Sequence, residues 1–207
     1  MSDNQSILIG YSGHGYVVAE AALEAGMTLI GYSDRDAVIN NPFNLEYLGF
    51  EKNENFTGWK LDASFIIGIG DNTIRQKIAD MVTGNGKELA VVISKSAAVS
   101  GTAKIGKGVF INRNVAINAL AEIGDNVILN TGCIIEHECI LGSAVHIAPG
   151  AVLAGNVRIG ERSFVGANSV IKQGVTIGKD VTIGAGTVII HDIPDGKKIV
   201  GNPGRYI

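Results

Sequence analysis

Apolar residues recur with a strict period of six over residues 93–194. Starting at Ile93, every sixth position through Ile189 is Ile, Leu or Val, seventeen hexads without a slip. Four residues after each of these stands Ala, Val, Cys, Ser or Thr, with Ile193 the one exception. Neither a helix period nor a simple strand alternation gives this spacing; a parallel β-helix of hexapeptide repeats does. One hexad cannot bury its aliphatic side chain alone. Three short strands joined at corners make one triangular coil of eighteen residues, and stacked coils share one core. The i and i+4 side chains both point inward, the large one mid-face and the small one near a corner. Nearly six coils at about 4.8 Å each give a prism roughly 27 Å tall. Gly at i+1, as in Gly106, Gly124 and Gly142, suits backbone where a Cβ would clash.

The period stops before Ile93, which places a separate domain at residues 1–92 and the prism with a C-terminal tail at 93–207. Residues 6–11 (SILIGY) and 28–32 (TLIGY) predict strands, with a helix-period stretch between them closed by Gly26. Residues 64–70 predict a third strand, 72–82 a second helix, and 88–93 lead into the prism. Strand, Gly-rich turn, helix, strand and acid make a small Rossmann-like, doubly wound unit. The fold class is therefore α/β plus all-β. The stretch 36–62 is irregular and polar, a candidate flap over a ligand.

The turn reads G-Y-S-G-H-G at residues 10–15, a G-x-x-G-x-G spacing and not the dinucleotide G-x-G-x-x-G. Its glycines would still let a phosphate approach N–H groups at a helix N-terminus. Asp34, just past the second strand, is placed to accept a ribose hydroxyl. The unit is short for a full dinucleotide, so a nucleotide or nucleotide-sugar is the expected ligand. A tight strand–helix turn without a ligand is the alternative.

Composition narrows the picture. A net charge of −3 gives no basic face for nucleic acid. No run of eighteen apolar residues and no basic, apolar leader is present, so the expectation is a soluble, unexported, cytoplasmic protein with no membrane insertion. Cys133 and Cys139 both fall on inward i+4 positions and read as core residues, not as a disulfide or a metal pair. Of the four histidines, His137 and His146 occupy outward positions of the prism, and histidine is the usual general base near neutrality. Ala119 and Gly155 stack one coil before and after His137 and leave room for a substrate. His137 and His146 are nine residues apart, half a coil, so they belong on opposite sides of one prism.

The segment I-E-H-E-C-I-L-G-S-A-V-H-I-A-P-G at 135–150, the turn at 10–15, IGIGDNTIR at 67–75 and G-N-P-G at 201–204 resemble one family over the full length. It is that of the hexapeptide-repeat sugar N-acyltransferases of the bacillosamine and perosamine type, with the related sialic acid O-acetyltransferases. The resemblance implies a left-handed β-helix, a homotrimer with active sites at subunit interfaces, and acetyl-CoA as cosubstrate. It implies His137 as catalytic base and Glu138 as the acid that raises its basicity. It implies His146 near the thioester, Gly155, Ala167 and Gln173 as further coenzyme contacts, and no metal. Ser12, Gly13, His14, Asp34 and Gly70 would hold a nucleotide-activated, 4-amino deoxysugar. Tyr11 and Gly204 stand where the family more often has Ala. The expected reaction is N-acetylation by direct attack. The competing readings are sugar O-acetylation, a zinc enzyme of the γ-carbonic anhydrase kind, and a scaffold without catalysis.

Overall fold

The computed structural model describes residues 5–207. The N-terminal unit is a three-stranded parallel sheet in the order β2-β1-β3, from β1 (Gln5–Ile9), β2 (Thr28–Ser33) and β3 (Ser64–Ile67). β1 and β3 are buried on both faces beyond their first residue, and β2 over its second half, as parallel crossovers require. Leu8 and Ile66 pack with α1 (Gly13–Glu24), while Ile7, Ile9, Phe65 and Ile67 pack with α2 (Asn72–Gly84). Asp71 caps α2, its carboxylate accepting from Ile74 N at 2.8 Å. The stretch 36–62 is less a flap than a cover: Tyr47 bridges to Tyr32 of β2, and Leu45, Leu48 and Phe56 are buried in the domain core. It has no strong period because its apolar residues anchor isolated turns.

Leu89 still pairs with Phe65, but Val92–Ile93 already pairs with Phe110–Ile111, so the chain passes from sheet to prism within three residues. The prism is three parallel ladders of two-residue rungs. We number its faces by their first rungs: face 1 from Val92–Ile93, face 2 from Ala98–Val99, face 3 from Lys104–Ile105. Its core contains the i and i+4 residues from Val109 through Ile193, including both cysteines. The first coil departs from the expectation: Ile93 is 38% exposed, because no coil lies beneath it. Every hexad from Gly108 to Gly186 turns its corner with the i+3 residue at φ between 54° and 75°. Gly and Asn fill most of these left-handed positions, as the cost to other L-residues dictates. Leu120, Glu138, Ala144, Arg162 and Asp180 do not follow that preference. At the corner between faces 3 and 1, a Cβ on Gly142 would come 2.7 Å from Glu161 N in the next coil, so the coils there touch backbone to backbone.

The N-terminal unit sits on face 1. The outward residues of its rungs, Val92, Phe110 and Ile128, are buried against the cluster built on α1 and β1. The docking is fixed by Arg75 of α2, only 1% exposed. Its Nε donates to Asn126 O at 2.8 Å, Nη2 to Ala144 O at 2.7 Å and Asn72 Oδ1 at 2.9 Å, and Nη1 to Gly70 O at 2.9 Å. Asn72 Nδ2 adds a bond to Arg162 O at 2.9 Å. Replacing Arg75 by Ala would strand several buried carbonyls, at a cost on the order of 3 kcal/mol or more. Calorimetry of the Arg75→Ala protein is expected to resolve an early transition of the N-terminal unit before the prism melts.

Candidate active site

The Gly-rich turn is shaped by backbone contact. A Cβ on Gly15 or on Gly68 would run into Gly10 O, and Gly10 itself sits at φ 86°. These glycines are demanded by packing. Gly13 is not: a Cβ there would meet nothing within 4 Å. Ser12 stands at the N-cap of α1 without a capping bond, and the first turn carries no acid. The hydroxyl and the first N–H groups of α1 are thus left for an anion. Asp34 braces the turn, its two oxygens accepting from Tyr11 N at 2.9 Å and Arg35 N at 2.7 Å. Tyr11 points away into the aromatic core, with its hydroxyl donating to Asn41 Oδ1, so its departure from the family pattern does not touch the cleft.

A cleft of about 280 Å³ opens over this turn. Ser12, His14, Asp34 and Gly70 line it, and Gly13 opens helix α1 beside them. Arg35, Phe50, Glu51 and Lys52 line it too and were not singled out from sequence. The only signal they carried was a mixed aromatic and charged triplet at the end of an apolar patch.

His137 lies elsewhere, at the exposed corner between faces 2 and 3. Its Nδ1 is 3.0 Å from Glu138 Oε2. A carboxylate only accepts, so Nδ1 carries the proton and the Nε2 lone pair is left free. Glu138 reaches back this way because its backbone is left-handed at φ 61°, a conformation costing roughly 1–2 kcal/mol. The imidazole rests on Gly155, where a Cβ would run into Cε1 and Nε2. Gln173 is one coil above Gly155, on the same corner, and is exposed; Ala167 stands at the neighbouring corner, between faces 1 and 2.

His146 faces outward from face 1, on the opposite side of the prism from the His137 corner. It is covered by the N-terminal unit and only 9% exposed. Its Nδ1 lies 3.4 Å from Gly70 O and its Nε2 3.4 Å from Asn130 Nδ2. Its ring is 6.1 Å from that of His14, whose buried Nε2 has no hydrogen-bond partner among the described residues. The structure therefore groups His146 with His14 and Gly70, and sets it apart from Gly155, Ala167 and Gln173 of its own chain. Among the described residues, no group of three His, Cys, Asp or Glu is arranged to hold a metal. The Cys133 thiol is pushed up to about 12 by burial and is no nucleophile at neutral pH.

Residues 6–82 match the PglD N-terminal domain model, residues 120–155 the bacterial transferase hexapeptide model, and residues 156–190 the hexapeptide repeat of succinyl-transferase. No curated protein matches. Among solved structures, the chain is similar to the acetyltransferase domain of PglB from Neisseria gonorrhoeae, with 35% identity over 99% of this chain and 100% of that one, at a TM-score of 0.91. The same domain in complex with acetyl coenzyme A superposes with a TM-score of 0.92 at 35% identity, covering 100% of both chains. PerB from Caulobacter crescentus, in complex with CoA and GDP-perosamine, is 35% identical over 98% of this chain and 97% of its own, with a TM-score of 0.91.

Burial, then the Arg75 charge, depresses His14 and His146 from 6.5 to about 4. Both are neutral in the folded state at pH 7. Between pH 6.5 and 4 the unfolded chain binds more protons, so stability falls as pH falls through that window, by on the order of 3 kcal/mol for each histidine taken alone. Urea unfolding at pH 7.5 and pH 5 is expected to show about 2 kcal/mol of this loss for each histidine, and the His14→Gln protein is expected to show a shallower dependence.

Proposed function

This chain belongs to the family of hexapeptide-repeat sugar N-acetyltransferases represented by the PglB acetyltransferase domain and perosamine N-acetyltransferase, and we propose that it moves acetyl from acetyl-CoA to the amine of a nucleotide-linked 4-amino deoxysugar. The observation that carries the mechanism is the His137–Glu138 pair seated on Gly155. The sugar amine attacks the thioester carbonyl, an N–C bond forms and the C–S bond breaks. His137 Nε2 takes the amine proton as the tetrahedral intermediate forms and returns it to the departing coenzyme thiolate. Glu138 holds the imidazole tautomer and stabilises the imidazolium. Both cysteines are buried in the prism core, which fits direct attack without an acyl-enzyme.

The nucleotide diphosphate belongs at the turn of Ser12 and Gly13, with His14, Asp34 and Gly70 around it. That cleft borders face 1, whereas His137 stands at the corner opposite face 1. One chain cannot present its own cleft to its own base. Face 2 supports the remedy: its outward rung residues Ala98, Ala116, Ile134, Val152, Val170 and Val188 are all aliphatic, and no element among the described residues covers them. A homotrimer packed along this face sets the His137 corner of one copy beside the cleft and His146 of another, with Gly155, Gln173 and a neighbour's Ala167 along the coenzyme.

Thiol release from acetyl-CoA, measured against UDP-, GDP- and dTDP-linked 4-amino sugars, is expected with one donor and to fall about 10²- to 10⁴-fold in His137→Ala. Undiminished activity in that variant would reject His137 as the base. Gly155→Ala is expected to displace the imidazole and lower kcat while the melting temperature holds. In sedimentation, the protein is expected at three times the 21.6 kDa chain mass, and Ile134→Asp to lose both assembly and activity.

A further inference from the structure

Glu51 is a charged side chain with almost no water and no cation. It is 5% exposed, it lines the cleft, and it forms no ion pair among the described residues. Ser33, at the end of β2, holds it in place: Ser33 Oγ donates to Glu51 Oε2 at 2.7 Å and accepts from Glu51 N at 2.9 Å. The other oxygen, Oε1, accepts no hydrogen bond from the described residues, and it is not among the fully buried polar atoms that lack a partner. Burying an uncompensated carboxylate is costly, and the cost falls when a ligand supplies donors. The fixed carboxylate thus has lone pairs on both oxygens for a ligand that enters the cleft.

Its position along the wall says which part of a nucleotide it meets. The α1 N-terminus and Ser12 mark the phosphate end, and Asp34 follows at the tip of β2. Glu51 lies beyond, bonded to the residue that precedes Asp34. Phe50 lines the same wall, an aromatic ring of the kind on which bases stack, with Lys52 Nζ 5.8 Å from its centroid. Resting on the nucleotide-sugar reading above, we infer that Glu51 reads the nucleobase and that the base is guanine. A carboxylate held side-on accepts two parallel N–H bonds. Guanine alone among the common bases presents two adjacent donors on one edge, N1–H and the N2 amino group. Uracil and thymine present one N–H between two carbonyl oxygens, one of which would face the second carboxylate oxygen. Adenine and cytosine pair an amino group with an acceptor, and repel it likewise.

The test is calorimetric titration of the full-length protein with GDP, IDP, UDP and dTDP, where IDP differs from GDP only by loss of the N2 amino group. The expected order puts GDP at least tenfold tighter than IDP, UDP and dTDP. Glu51→Gln is expected to lose at least tenfold in GDP affinity and to bring the GDP-to-IDP ratio close to one, with an unchanged melting temperature. Equal binding of GDP and IDP, or tighter binding of UDP or dTDP, would overturn the assignment of guanine while leaving a nucleotide-binding cleft standing. Failure of all four to bind would overturn that cleft as well. If Glu51→Gln does not fold, the wild-type ratio of GDP to IDP decides alone.

Discussion

The two halves of the chain meet around the guanidinium of Arg75, and most of what makes the protein more than a prism depends on that meeting. A buried cation that no carboxylate among the described residues contacts is solvated here by carbonyl oxygens from both domains, Ile69 and Gly70 on one side, Asn126, Ala144 and Val145 on the other. Removal from water lowers its pKa to about 10 even with Asp71 working against the shift, and the charge persists at neutral pH. The same oxygens fix the cleft wall at Gly70 in register with the coil that carries His146. The same charge helps hold His14 and His146 neutral. Docking, cleft shape and local protonation are thus one electrostatic arrangement.

Against this stands the rigidity of the prism. Each coil repeats the geometry of the one below, so a side chain used in chemistry must occupy an outward slot that the repeat already provides. Glu138 shows the compromise. Its corner would ordinarily be Asn or Gly, and the strain of a left-handed glutamate persists because the surrounding coils leave the backbone no other path. In return the carboxylate is set against the imidazole of the preceding residue. Ala144 is a different departure: its side chain is buried and its carbonyl serves Arg75.

The prism was legible because its constraint is local and periodic: each hexad must supply one large and one small apolar residue. The covered side was legible too, on a longer stride. Reading every eighteenth residue from Val92 gives Phe110, Ile128, His146, Phe164 and Thr182, and the apolar run through Ile128 is the part buried under the N-terminal unit with His146. Arg75 also had a signal, since it shares the stripe of Ile78, Ala79 and Val82 on α2, all buried. A charge on an apolar stripe points to a buried partner without saying which. Glu51 had no comparable signal. Its meaning comes from a bond to Ser33 across an aperiodic stretch, and only the folded chain places them together.

The top of the stack carries its own consequence. Lys198–Val200 adds to the face 1 ladder as another parallel rung, but Arg205–Tyr206 then folds back on it antiparallel. An incoming coil from another molecule would need a parallel edge in register, and it finds a two-residue strand running the wrong way with an arginine on it. A solenoid built from identical rungs is an open template for endless fibre growth. Here the reversal at Arg205–Tyr206 makes that rung unlike the parallel ones below it, and face 1 presents no parallel edge there for another molecule to extend.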